Sequence, residues 1–131
     1  MKPKIHFNEF RLPLFKAKVW VYITNNMRAA LDEAEDKTSQ VIAYEEEKRH
    51  IDSYTYAYEK ETGGRCYILF FKQNAKPGVI AHEVKHLINI LFSWHGYKLS
   101  LSNDEMECYY LQDIVNKVHN VVKGYNKLYK R

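Results

Sequence analysis

The sequence predicts an α+β domain in which a small twisted sheet of three to five strands packs against two helices from the second half of the chain. Three observations point there. Segments 18–24, 53–59 and 66–71 are β-branched or aromatic and either alternate or run continuously apolar, as strands do. Segments 79–92 and 102–124 place their apolar side chains at helical spacing instead. The 131 residues, 46% of them hydrophobic, suit one domain spanning 1–131 with a real core.

Taken in order, Lys4 to Phe10 is expected as a short strand, and Lys18 to Thr24 as a second with alternating β-branched residues. Asn26 to Lys37 reads as a helix. Asn25 or Asn26 can cap it, and Met27, Ala30, Leu31 and Ala34 form one apolar face. Gln40 to Glu46 and Ser53 to Glu59 are expected as two further strands. The second sets Tyr54, Tyr56 and Tyr58 against Thr55, Ala57 and Glu59. The charged stretch from Glu45 to His50 then forms the exposed end of a hairpin. Thr62-Gly63-Gly64 turns the chain into a buried strand over Cys66 to Phe71.

A mostly buried helix follows over residues 79–92. Pro77-Gly78 opens it, Gly96 stops it, and apolar residues 80, 84, 87, 88 and 91 share a face. Within it lies His82-Glu83-Val84-Lys85-His86, an H-E-x-x-H pattern. Histidines four apart on a helix point from the same face, so both imidazoles can reach one Zn2+ ion. The glutamate between them falls beside the metal, where it can act as a base on bound water. Glu83 is therefore the expected catalytic residue and His82 and His86 the expected metal ligands. Buried imidazoles need partners, which a metal would supply to both at once.

A catalytic zinc site takes a third protein ligand and leaves the fourth position to water. The metzincin arrangement fails, because Asn89 and Phe92 stand where it requires glycine and histidine. A carboxylate from the next helix is the remaining source. Glu105 is the expected third ligand and Glu107 the alternative. Ser102 and Glu105 also make an S-x-x-E capping box, which needs no metal. Asp104 is a candidate second acceptor for a ligand imidazole or a charge favoured at the helix start. Tyr109, Tyr110 and His95 are candidate oxyanion donors. Packing competes for the tyrosines, and for His95 a cationic place at a helix end.

The H-E-x-x-H helix followed by Asn103-Asp104-Glu105-Met106-Glu107-Cys108-Tyr109 resembles a minimal gluzincin. It is similar to small metallopeptidases encoded by phages and, more distantly, to the ImmA/IrrE-like peptidases. There a ligand glutamate opens the second helix and a small residue, here Cys108, stands three positions later. The resemblance covers about residues 65–124. It implies a zincin-like fold and zinc-dependent cleavage of peptide bonds. It also implies that a strand leading into the motif helix presents an extended peptide to the metal. The substrate would then add as a strand alongside residues 66–71.

Two other functional classes fit the same residues: a non-catalytic zinc-stabilised domain that binds a protein of phage or host, and a metal-free interaction module. A net charge of +4 with no nucleic-acid motif argues for a solvated basic surface rather than specific nucleic-acid binding. Cys66 and Cys108 lack C-x-x-C spacing and read as buried thiols of a reducing compartment. With no signal-like or membrane-length apolar run, the expected location is cytoplasmic, in the host cell or within a virion if the protein is phage-encoded.

Overall fold

The computed structural model describes residues 2–12, 15–98, 100–101 and 104–129. It is an α+β domain whose elements run β1 (Ile5–Arg11), β2 (Ala17–Thr24), α1 (Met27–Thr38), α2 (Glu45–Lys48), β3 (Ser53–Glu59), β4 (Arg65–Lys72), α3 (Pro77–Trp94) and α4 (Glu105–Tyr129). The four strands form one sheet in the order β1-β2-β4-β3. The central pair, β2 and β4, is parallel, and both outer strands run antiparallel to their neighbours. Strands covered on both faces need apolar side chains at odd and even positions alike, which is why β2 and β4 read as near-continuous apolar runs. Val19, Val21, Tyr67, Leu69 and Phe71 enter the core under α3 and α4, whereas Trp20, Tyr22, Ile68 and Phe70 enter the core under α1.

β4 is therefore not available to a peptide along residues 66–71. One of its edges is bonded to β2 and the other to β3. The strand with a free edge beside α3 is β3.

The expected strand over 40–46 and the hairpin tip over 45–50 do not form. That segment folds back on α1 through polar contacts. The Glu35 carboxylate accepts the amides of Ile42 (2.9 Å) and Ala43 (3.1 Å), and the single turn of α2 follows. Lys48 is buried there, donating to Glu35 (2.6 Å) and Asp32 (2.8 Å). Burial alone would raise the Glu35 pKa, but the Lys48 ammonium and the two amides outweigh it and hold the value below the usual carboxylate range.

α1 starts where expected, with the Asn26 side chain accepting from the Ala29 amide at 3.1 Å. α4 runs through Gly124 instead of ending there. The residue just beyond, Tyr125, is fully buried, and its hydroxyl donates to Gln73 at 2.9 Å. Burying that ring outweighs the roughly 1 kcal/mol that a glycine costs a helix interior. No helix among the described residues is long and apolar enough to cross a membrane.

Candidate metal centre

α3 begins with Pro77 in its first turn and ends where Gly96 takes a left-handed φ of +76°. Its core face is Ile80, Val84, Leu87, Ile88 and Leu91. His82 and His86 lie off that face and are exposed, the His82 side chain 65% so. They are not the buried imidazoles the apolar context suggested, so their need for a partner does not arise from burial. Their geometry is informative all the same. The two Nε2 atoms stand 3.2 Å apart, with the ring planes near perpendicular at 84°. Two nitrogens bound to one tetrahedral zinc at the usual bond length stand about 3.3 Å apart. The pair thus fits a shared zinc with little movement, and its exposure leaves room for further ligands.

Glu83 is turned the other way, toward the sheet, and is buried at 5% exposure. Both of its carboxylate oxygens accept hydroxyl hydrogen bonds, Oε1 from Thr55 at 2.6 Å and Oε2 from Ser53 at 2.7 Å. Thr55 Oγ1 also lies 3.0 Å from the Glu83 carbonyl. Oε2 is 3.9 Å from His82 Nε2, so the carboxylate borders the space that the imidazoles share. A buried carboxylate without such donors would be costly. Ser53, Thr55, Glu83, His86 and Ile90 line a cleft of 310 Å³ along β3.

Ser53 and Thr55 were not recognised as site residues from sequence. A signal for them exists in the alternation of β3. Successive strand side chains point to opposite faces. The Tyr54, Tyr56 and Tyr58 set packs against the α1 core, so Ser53 and Thr55 must face α3. Two hydroxyls on an otherwise apolar inner face imply a polar partner there, and Glu83 is that partner.

The third arm is less complete. Glu105 is exposed in the first turn of α4. Glu107 is half-buried and ion-paired with Lys85, the residue just before His86. Among the described residues, no third His, Cys, Asp or Glu gathers with the two imidazoles as a metal-holding group. Ser102, the other half of the expected capping box, lies outside the described residues. The Asp104 carbonyl accepts the Cys108 amide, the bond expected of a residue at a helix start. Tyr109 is exposed, and Tyr110 is buried in the core against Phe92 and Phe15.

His95 sits at the far end of α3, against Phe15 and the Arg65 guanidinium. Burial and the positive charge of Arg65 both lower its pKa, which weighs against a cationic role at the helix end, and it is not among the residues lining the 310 Å³ cleft. Both cysteines are free; Cys66 is buried as expected, whereas Cys108 is exposed on the first turn of α4 and does not join the core. Comparison with protein-family models, with curated proteins and with solved structures finds no match to this chain.

Proposed function

We propose that the protein is a zinc-dependent endopeptidase of zincin-like type, with His82 and His86 as ligands and Glu83 as the general base. The supporting observation is the convergence of the two Nε2 atoms at 3.2 Å beside the Glu83 carboxylate, next to a cleft that Glu83 and His86 line and an edge strand bounds. Glu105 is the proposed third ligand and Glu107 the alternative, since both project from the first turn of the helix that packs beside α3. Using Glu107 would require its Lys85 ion pair to open. Bound zinc would supply Lewis acidity and lower the pKa of a coordinated water toward neutrality. Glu83 would take a proton from the attacking water and return it to the leaving amine. Ser53 and Thr55 would keep its carboxylate at the floor of the cleft. The free edge of β3 would hold an extended peptide by backbone hydrogen bonds.

A second reading has an observation of its own. Both Glu83 oxygens are engaged by hydroxyls, which favours a non-catalytic zinc-stabilised or metal-free protein-binding domain. Two measurements separate the readings. Tag-free protein should carry about one zinc per chain and a His82→Ala/His86→Ala variant none. Glu83→Gln should retain zinc while losing at least about 100-fold in hydrolysis of an unstructured protein. Zinc without hydrolysis in the wild type favours the binding domain, and absence of zinc from both proteins removes the metal centre.

A further inference from the structure

At the end of the sheet far from Ser53, the chain builds a second cavity of a different character. It has a volume of 220 Å³ and is lined by Arg11, Lys16, Lys18, Lys60, Thr62 and Arg65, with the backbone of the β3–β4 turn at its rim. Every charged residue lining it is a cation. They come from four separate places: the end of β1, the start of β2, the turn after β3 and the start of β4. Backbone hydrogen bonds fix that convergence. The Arg65 amide reaches the Lys16 carbonyl at 3.4 Å, Leu12 reaches Ala17 at 3.2 Å, and Lys60 closes on Gly64 at 2.6 Å. Gly63, at a φ of +87°, supplies the turn that places Thr62 beside Lys60. The Arg65 guanidinium itself turns to the α3 side of the sheet, where it meets the Trp94 carbonyl at 3.3 Å, the Trp94 ring and His95, so its charge is not among those facing the cavity from the α1 side.

Some cations elsewhere in the fold meet carboxylates, while others, Arg49 and Lys76 among them, make no ion pair among the described residues. Arg28, Lys48, Lys72, Lys85 and Lys117 are each ion-paired. In this cavity Lys18 lies 3.8 Å from Glu9, and Glu59 and Glu61 flank Lys60 in sequence. Arg11, Lys16, Lys60 and Arg65 make no ion pair among the described residues. Like charges brought together without counter-charge repel, and a compact multivalent anion offsets several of them at once. The cavity holds only 220 Å³, so a compact ligand fits better than a polymer track. Among the described residues no aromatic ring lines the cup, which gives a base nothing there to stack on.

We infer that this cavity binds an oligophosphate group, recognised through its phosphate oxygens by four cations, Arg11, Lys16, Lys18 and Lys60, and the Thr62 hydroxyl. The site is independent of the zinc centre, and its test does not depend on hydrolytic activity. The experiment is a calorimetric titration of the full chain with inorganic tripolyphosphate at low ionic strength. It is repeated in the His82→Ala/His86→Ala variant, because tripolyphosphate also chelates metal. Saturable binding of one tripolyphosphate per chain in both proteins is expected, weakening as salt rises. Lys16→Gln/Lys60→Gln should reduce affinity at least about tenfold, and Lys72→Gln/Lys117→Gln, with the same loss of net charge away from the cup, should not. Arg11→Gln gives a second reading if the first double variant does not fold.

ATP binding about as tightly as tripolyphosphate would support recognition of the phosphate chain alone. ATP binding much more tightly would overturn it, because the base would then be read. The absence of saturable binding, or equal weakening by both double variants, would overturn the site. So would displacement of tripolyphosphate by single-stranded oligonucleotides with affinity that grows with their length, which would assign the surface to nucleic acid.

Discussion

Thr55→Val isolates the contact between β3 and the motif helix. Valine keeps the shape of threonine and removes one hydroxyl, which donates to Glu83 Oε1 at 2.6 Å and lies 3.0 Å from the Glu83 carbonyl. A hydrogen bond to a charged group contributes about 1.5–3 kcal/mol, and the loss is larger when its partner stays buried and unsatisfied. Glu83 is only 5% exposed, but it borders an open cleft, and Ser53 still serves its other oxygen at 2.7 Å. Water can therefore replace part of what is lost, and the expected destabilisation is about 2 kcal/mol. For a domain of this size that corresponds to a fall in Tm of roughly 6–8 °C. Urea unfolding of the wild type, Thr55→Val, Glu83→Gln and the double variant closes a mutant cycle. The Thr55 substitution should cost about 1 kcal/mol less once Glu83 is neutral. A Thr55→Val variant within about 0.5 kcal/mol of wild type, or strict additivity in the cycle, would show that the hydroxyl does not hold the carboxylate.

Lys48→Met should destabilise the chain by about 3 kcal/mol in urea, because it leaves Glu35 without its buried cation. The pH dependence follows from the directions of the two shifts. Burial acts to raise the Glu35 pKa but Lys48 and two amides lower it below 4.5, so this contribution is present above 4.5 and lost as pH falls through the lower folded value. Burial acts to lower the Lys48 pKa but Asp32 and Glu35 raise it above 10.5, so its part is complete below 10.5 and lost as pH rises through the folded value. Thermal melts across pH 2–7 should show a shallower acid loss in Lys48→Met than in the wild type. Thiol labelling of native protein at about pH 8 should modify only Cys108, with Cys66 reacting after denaturation. Burial pushes the Cys66 thiol up to about 12, and Cys108 is exposed, although partial desolvation and Asp104, Glu105 and Glu107 raise its pKa too. Rapid native labelling of both would mean that the β2–β4 layer opens readily.

What the sequence made legible was local or periodic. The side chain of Asn26 and the apolar spacing behind it defined α1, the two-sided apolar runs defined β2 and β4, and Pro77 and Gly96 bracketed α3. The four-residue spacing of His82 and His86 brought their Nε2 atoms together as helical geometry requires. The failures share a cause in contacts between distant residues. Val41, Ile42 and Ala43 look like strand formers, but the Glu35 carboxylate takes the amides of the latter two, and Lys48 leaves solvent for the same carboxylate. β4 lost its free edge because the antiparallel partner β3 fills the position that a peptide was expected to take. The third ligand was not readable because it depends on how α4 docks on α3. There Lys85, inside the motif itself, competes for Glu107.

The parallel pairing of β2 with β4 sets an order of events for the folding chain. Residue 17 must find residue 65, and no tight turn can join parallel neighbours. Everything between them, α1, the Lys48 clasp and β3, has to be organised or carried along before the centre of the sheet closes. Non-local pairings of this kind slow folding. Until closure, the run Cys66-Tyr67-Ile68-Leu69-Phe70-Phe71 is an uncharged, β-prone segment with both edges open, the type of segment that pairs with copies of itself. The hairpin of β3 and β4 is local and can cover one of those edges early. The chain's exposure to aggregation is therefore set by how soon β2 arrives at the other.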